Sequence, residues 1–294
     1  MKIIKLIFNS PLHIGEIGLG LEECSPIIHS DTIFNSIINA HSLMHSKEET
    51  DDFVKKFNTI KISSGFPFCG NEIYFPKPKI KLNIDEKTHS DHSKNLKKTE
   101  FVSKEYFEKI INFKELNETD ITKITKKIEI YEEFQIPKVY LDRETNKSGF
   151  FFISLIKFKK DCGLWFSIDC ENDVYDEIIS CLRLLGEEGI GGKRTWGYGL
   201  FEFKEKDIEL IQPAGNSFIL LSLFYPDKNE KEIFSDNSSW DFVLRGGWTG
   251  KERKPRIRMI KEGGVFEKMP EGCIINLNKY SIYGKAYSLR IRGK

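Results

Sequence analysis

The spacing of apolar residues predicts a β-rich start followed by an amphipathic helix. Lys2–Phe8 is mostly apolar and rich in isoleucine, which is typical of a buried central strand. After His29, apolar residues recur at intervals of three and four, and this spacing predicts a helix. We expect Ser30 to cap its first amides and Asp31 to favour the positive end of the helix dipole. Ile60–Phe68 is typical of a further strand that ends in a turn.

A similar order of elements follows after residue 148. Gly149–Phe158 and Leu164–Ile168 predict two strands joined by a hairpin turn. An amphipathic helix then begins at Asn172 or Asp173, and we expect Gly186 to end it. A glycine-rich stretch and another strand follow. If one of the five strands belongs to the insertion, the order is strand, helix, strand, strand, helix, strand, which predicts an α+β domain of the ferredoxin-like (RRM-like) type over residues 1–210. The short β-like segments after residue 214 predict a smaller, strand-rich second domain over residues 215–294.

Residues 76–100 differ in composition from the segments around them. They are rich in lysine, polar and poor in large apolar residues. We therefore expect a mobile insertion within the first domain and not a linker between domains. A short helix near Lys104–Ile111 is expected to follow it.

The overall composition excludes several classes of protein. Lys and Arg total 45 against 44 Asp and Glu, a net charge of +1, so a globally basic nucleic-acid binder is excluded while a local basic patch is not. No apolar run reaches the roughly 18 residues that span a bilayer, and the N-terminus resembles a strand more than a signal peptide. The six cysteines show neither CxxC nor a zinc-like spacing. We expect free cysteines in a reducing cytoplasm, and neither a metal nor a cofactor.

The densest glycine stretch, GIGGKRTWGYG at residues 189–199, is the strongest local signal. Flexible backbone lets amides converge on an anion, the two cations suit phosphates, and the aromatic rings suit stacking on bases. A tight connection whose rings only cover the core is the alternative, and composition leaves both open. The residues that would contact RNA are Gly191, Gly192, Lys193, Arg194, Thr195, Trp196 and Tyr198.

A basic strand in the second domain is the next candidate. Arg245, Gly246 and Trp248 precede Lys254 and Arg256 in a run rich in basic residues. Strand alternation places Arg256 and Arg258 on one face and Ile257 and Met259 on the other. Such a patch favours contact with phosphates or with an acidic protein partner, whereas the structural alternative is a strand edge protected by charge. The glycines and the tryptophan beside it favour RNA.

His29 is the best candidate for a general base, as in metal-independent ribonucleases. It is equally compatible with a position beside the helix start that carries no chemistry, because no partner is visible nearby. No nucleophile elbow, HExxH motif or carboxylate-rich metal pattern occurs. The sequence therefore favours a binding protein over an enzyme.

Several motifs together resemble the RAMP superfamily of CRISPR proteins. More closely, they are similar to the fourth Csm subunits of type III-A effector complexes, which are Cas-five-like. The resemblance covers nearly the whole chain, and least the lysine-rich insertion. The stretches that carry it are PLHIGE, IHSDTIFNSI, VYLDRET at residues 139–145, GIGGKRTWGYG, and RGGW followed by KPRIRMIKEGGVF.

This resemblance implies two ferredoxin-like units, the second degenerate, in a non-catalytic RNA-binding subunit. Such a subunit holds the 5′ repeat-derived handle of the crRNA, caps the backbone filament of RAMP subunits and contacts the large polymerase subunit. We expect a bent handle on a sheet face, with phosphates fixing its register. By resemblance the RNA-binding positions are His29, Ser30 and Asp31, the glycine-stretch residues named above, and Arg245, Gly246, Trp248, Lys254 and Arg256.

Two other functions remain open at the level of sequence. One is a RAMP-type, metal-independent endoribonuclease that processes crRNA precursors with His29 as the base. The other is an adaptor without RNA, whose basic strand meets an acidic partner.

Overall fold

The computed structural model describes residues 1–15, 20–141, 144, 147–249, 252–277 and 280–292, and at 248, 249, 252 and 253 only the backbone. Asp142, Arg143 and Thr145 of the family-like stretch, and the side chain of Trp248, lie outside the described part. The helices within it are α1 Ser30–Met44, α2 Lys47–Lys56, α3 Glu86–Lys98, α4 Lys104–Ile111, α5 Glu118–Thr125 and α6 Asn172–Glu188.

The strands fall into one large sheet and several small ones, so the chain has a mixed α/β fold. They are β1 Lys2–Phe8, β2 Lys61–Ile62, β3 Phe66–Cys69, β4 Glu72–Pro76, β5 Phe101–Ser103, β6 Tyr131–Leu141, β7 Ser148–Phe158, β8 Cys162–Asp169, β9 Phe201–Asp207, β10 Ser217–Leu220, β11 Phe242–Thr249, β12 Glu252–Ile260, β13 Val265–Phe266, β14 Gly272–Leu277, β15 Tyr280–Lys285 and β16 Ser288–Ile291.

β1 is an interior strand of the large sheet, paired on both sides, but it lies next to the edge strand β9 and not at the centre that the apolar N-terminal run predicts. The strand order is β5-β4-β3-β8-β1-β9, with β2 also paired to β8, and each of these pairings is antiparallel. The predicted order of strand, helix, strand, strand, helix and strand is present as β1, α1, β2 with β3, β8, α6 and β9. The single strand expected over Ile60–Phe68 is divided into β2 and β3.

Helices α1 and α6 pack on one face of this sheet, and both differ at an end from the expectation. α1 begins at Ser30 after His29, and Ser30 does not cap it, because its Oγ accepts a hydrogen bond from the Leu223 amide. α6 continues through Gly186 to Glu188, after which Gly189 takes a φ of 83°. Gly186 thus lies inside the helix and does not end it. A glycine is needed there because a Cβ would lie 2.6 Å from a carbonyl oxygen of β9.

The other face of the sheet is covered, which is contrary to the expected RNA path across it. Ile3, Phe66 and Trp165 are fully buried there. They belong to a core that also contains residues of α4 and α5 and residues of β10 and β16. RNA therefore cannot lie on this face, and a binding surface has to be sought elsewhere.

The lysine-rich stretch is folded where a mobile insertion was expected. α3 occupies half of it, and the Asp85 side chain caps this helix by accepting a hydrogen bond from the Thr88 amide. Leu96 is buried in the same core as α5. The helix was missed because a polar helix with one strongly buried apolar residue shows little periodicity.

The hairpin predicted between Gly149–Phe158 and Leu164–Ile168 is wrong. β7 pairs instead with β6 over the full length of both strands, while β8 belongs to the large sheet. The β6–β7 hairpin was not predicted, because β6 has only partly buried or exposed side chains. Its far end presents exposed apolar residues, among them Val139, Leu141 and Phe150.

Cys69 and Cys162 correct the expectation of free cysteines. They lie opposite each other on β3 and β8 and form a disulfide. Cys170, Cys181 and Cys273 have free thiols. Across the described residues, no helix is both long and apolar enough to cross a membrane.

Candidate nucleic-acid interface

A groove of about 1770 Å³ lies between the first and the second part of the chain. Its walls come from α1, the glycine stretch, the β11–β12 hairpin and the β14–β15 hairpin. The two motifs that sequence analysis singled out therefore border one space, although they are far apart in the chain. Eight of the predicted RNA-binding residues line it: Gly191, Gly192, Lys193, Arg194, Arg245, Gly246, Lys254 and Arg256.

The charge of the groove is strongly one-sided, although the protein as a whole is nearly neutral. Among the described residues that line the groove, Asp51 is acidic, whereas six are lysine or arginine. A groove of this sign concentrates a polyanion and focuses its field between low-dielectric walls. The basic side chains that line it are Lys47, Lys193, Arg194, Arg245, Lys254 and Arg256.

The glycines of the loop are explained by close packing against the segment after β1. Gly191 has a φ of 93°, and a Cβ there would lie 2.6 Å from the carbonyl oxygen of His13. The Gly192 amide donates to that same oxygen at 2.8 Å. Gly199, whose Cβ would lie 2.0 Å from the Ile190 carbonyl oxygen, is equally confined. A side chain at these positions would force the loop away from its support.

Several amides of the loop are not available to the predicted anion nest. The amides of Gly192, Trp196 and Gly197 donate to carbonyl oxygens within the chain, the latter two in a short 3-10 turn at Arg194–Trp196. These bonds support a tight connection, and an anion nest formed by the other amides of the loop stays a prediction. Lys193 and Arg194 line the groove together with the backbone of Gly191 and Gly192.

The two aromatic residues of the loop differ in exposure. Trp196 is 42% exposed, and the Nζ atoms of Lys193 and Lys138 lie 4.9 and 5.1 Å from its ring centroid. Tyr198 is 9% exposed and packs in a small core with Ile153, so its face is not open to a base. Thr195 is exposed at the loop surface and does not line the groove. Lys138 was missed because its strand was not predicted.

His29 lies in a buried ion pair and not in the groove. Its Nδ1 is 2.8 Å from Oε1 of Glu262, and both side chains are 2% exposed. The Ser64 hydroxyl donates to the same carboxylate oxygen. Burial alone would raise the pKa of Glu262, but the charge of His29 and the hydrogen bonds from His29 and Ser64 lower it to about 2. The pair connects the start of α1 to the segment after β12.

Asp31 forms a second buried ion pair, with Arg245 of β11. Nε and one terminal nitrogen of Arg245 each donate to a carboxylate oxygen of Asp31 at 2.9 Å. That terminal nitrogen also donates to the Thr32 hydroxyl. His29, Ser30 and Asp31 are therefore buried and bonded to the second part of the chain, so we leave their side chains out of the proposed RNA surface.

Lys254 and Arg256 extend the basic wall along β12. Lys254 Nζ lies 4.8 Å from the centroid of the Tyr280 ring, and burial lowers its pKa although Asp31 acts in the opposite sense. Arg256 is exposed and Met259 is fully buried, which confirms the predicted alternation of this strand. In the described part of the chain, no cluster of three or more His, Cys, Asp or Glu could hold a metal ion.

Comparison with known proteins assigns this chain to a family. Residues 5–202 match the RAMP superfamily, and residues 213–291 match the CRISPR Csm4 C-terminal domain. A curated relative from Thermococcus onnurineus, "CRISPR system Cms protein Csm4", is 31% identical over 256 residues, covering 84% of each chain. The chain therefore belongs to the Csm4 family of the RAMP superfamily, as its motifs predicted.

Two solved structures share the fold over the full chain. One is described as a Csm3-Csm4 subcomplex in the type III-A CRISPR-Cas interference complex, with a TM-score of 0.73, 18% identity and complete coverage of both chains. The other is described as a Csm1-Csm4 cassette in complex with cA4, with a TM-score of 0.71 and 23% identity over 99% of this chain and 97% of that one. At these identities the likeness concerns the fold.

Proposed function

We propose that this chain is a non-catalytic RNA-binding subunit of a type III-A CRISPR interference complex and holds the 5′ repeat-derived handle of the crRNA. The observation that carries the proposal is the groove of about 1770 Å³ that both parts of the chain line. Basic residues line it from both parts of the chain, while the protein has a net charge of only +1. Membership of the Csm4 family supports the choice of RNA over other polyanions.

Phosphates supply affinity and register in this mechanism. Lys193 and Arg194 on one wall and Lys254 and Arg256 on the other neutralise the ribose-phosphate chain. Trp196 offers a stacking face for an unpaired base, flanked by Lys138 and Lys193. The RNA runs between the two parts of the chain and not over the covered sheet face.

The proposed partners are the large polymerase subunit and a backbone RAMP subunit, whose filament this chain caps at one end. Solved relatives described as a Csm1-Csm4 cassette and a Csm3-Csm4 subcomplex support this arrangement. We place the complex in the cytoplasm, where crRNA is available.

We also propose two ferredoxin-like units, over residues 1–210 and, in degenerate form, over residues 215–294. The antiparallel order of β3, β8, β1 and β9, with α1 and α6 as crossovers, supports the first unit. The two family matches meet near the same boundary, at residues 202 and 213.

The burial of His29 supports a role without catalysis. A general base has to reach the proton that it removes, and His29 is 2% exposed and bonded to Glu262. Purified protein is incubated with crRNA-repeat RNA in the absence of metal, with the His29→Ala variant in parallel. We expect no cleavage by either protein. Cleavage by the wild type that His29→Ala abolishes would establish the endoribonuclease instead.

The test of the proposed function is the RNA that accompanies the protein. The complex is purified under native conditions from its host, and bound small RNA is sequenced. We expect a uniform 5′ end that derives from the repeat. Far less of this RNA should be recovered with the quadruple variant Lys193→Ala/Arg194→Ala/Lys254→Ala/Arg256→Ala. A matched variant at Lys87, Lys94, Lys97 and Lys98 of α3, outside the groove, should recover the wild-type amount.

A further inference from the structure

One face of α1 borders the groove with neutral polar side chains. The residues recur at intervals of three and four, which places them on one side of the helix. The opposite side faces the core, with Ile33, Phe34 and Ile37 fully buried. α1 therefore presents a rigid stripe without charge between the basic walls. The stripe consists of Thr32, Asn35, Asn39 and Ser42.

Asn35 and Asn39 are the members of this stripe with spare hydrogen-bonding capacity. The Thr32 hydroxyl is engaged by Arg245, and the Ser42 hydroxyl donates to the backbone oxygen of Asn39. Asn35 Nδ2 donates to the Asp31 carbonyl oxygen at 2.6 Å, which fixes its amide and leaves its Oδ1 and one N–H for a ligand. Within the described residues, the side-chain amide of Asn39 has no hydrogen-bond partner.

Carboxamides in this position suit nucleobases better than phosphates. A neutral amide cannot compensate the charge of a phosphate, which the groove's cations already do. It does present a donor beside an acceptor, the pattern that matches the edge of a base. Single-stranded RNA exposes these edges, because its bases are not paired.

The spacing of the two amides restricts the RNA conformation further. Four helical residues correspond to about 6 Å along the axis of α1. Successive nucleotides in a stacked strand are about 3.4 Å apart. Asn35 and Asn39 therefore match bases that are splayed apart or that are not neighbours in the strand.

We propose that Asn35 and Asn39 read nucleobase edges of the RNA held in the groove and thereby set its sequence preference. This inference rests on the proposed function, since it needs RNA in that groove. The cations at the walls bind phosphates and therefore supply affinity that does not depend on the RNA sequence. The two amides, on a helix that packs against the core, discriminate between bases.

The test compares the full chain with Asn35→Ala/Asn39→Ala and with Asn95→Ala, a control at an exposed position of α3. Alanine is a strong helix former, so both variants should keep the fold, which melting curves verify. The probes are labelled single strands of rA, rC and rU, each about eight nucleotides long. We expect the ratio of best to worst Kd to fall about tenfold in the double variant, as loss of a base contact implies. The worst-bound probe should keep its Kd and its salt dependence.

Each other outcome separates this inference from the proposed function. A double variant that keeps the wild-type ratio, or that weakens all three probes equally, overturns base reading and leaves the groove as an RNA site. The same holds if the wild type binds the three probes equally. If the wild type binds none of them at low salt, the proposed function fails and base reading fails with it.

Discussion

Asp31 and Arg245 face each other across the two parts of the chain in a buried, bidentate ion pair. Removing one partner leaves a buried charge without compensation, which costs about 3–5 kcal/mol. We therefore expect Asp31→Ala and Arg245→Ala each to lower the free energy of unfolding by about this amount, measured by urea denaturation. Asp52→Ala, which removes an exposed ion pair with Lys55, is the control and should change little.

A double variant separates the cost of the lone charge from the value of the pair. Asp31→Leu/Arg245→Met should be more stable than either alanine variant, because no charge is left buried. If the two alanine variants unfold at the wild-type urea concentration, the pair is not a structural link between the two parts.

Lys193→Ala/Arg194→Ala should weaken RNA binding and flatten its salt dependence. On single strands each phosphate contact contributes about 0.7 to the slope of log K against log salt, so the slope should fall by about 1 to 1.5. Fluorescence anisotropy over a series of salt concentrations measures it. Lys97→Ala/Lys98→Ala on α3 should keep the wild-type slope. An unchanged slope in the loop variant would remove Lys193 and Arg194 from the phosphate path.

Trp196→Ala should lower RNA affinity by about 1–3 kcal/mol, the usual contribution of one base stacked on an aromatic ring. Trp196→Phe keeps a ring and should retain part of this affinity, whereas Tyr198→Phe should have no effect, because Tyr198 is buried. Isothermal titration with one RNA across the three variants measures the differences. Equal affinities of Trp196→Ala and the wild type would contradict a stacking role.

The lowered pKa of Glu262 predicts that the protein loses stability in acid. The pKa of Glu262 in the folded chain is lowered to about 2 from an ordinary value of 4.5, chiefly because the charge and hydrogen bond of His29 outweigh burial. A carboxylate with a lowered pKa stabilises the fold fully above its unfolded value and loses that contribution as the pH falls through its folded value. The stability advantage of the wild type over Glu262→Gln should therefore shrink as the pH falls from about 4.5 toward about 2. Urea melts at several pH values test this, and a constant difference would contradict the ion pair.

Elements with a local signature could be predicted from the sequence. β1 is a mostly apolar run, and α1, α4 and α6 carry apolar periodicity of their own, so each of them was predicted from its own residues. β6 and α3 were missed because they bury little, so tertiary contacts decide their structure and not their own pattern. Their existence depends on partners that periodicity does not reveal.

In the candidate site too, motifs formed by neighbouring residues were predicted, whereas contacts between residues far apart in the chain were not. The glycine stretch and the basic strand stood out by composition, and both line the groove. The burial of His29 and Asp31 could not be predicted, because Glu262 and Arg245 lie more than two hundred residues further along the chain. Asn35 and Asn39 were overlooked because polar residues on a helix ordinarily face water.

The groove has walls from both parts of the chain, and this couples its occupancy to the cohesion of the protein. Any ligand that binds only the assembled fold raises its stability by mass action. An RNA strand that contacts the glycine loop, α1 and β12 at once would hold the two parts of the chain together, in addition to the two buried ion pairs. If RNA binds in the groove, the RNA-bound protein should unfold at a higher temperature and resist proteolysis longer than the protein without RNA.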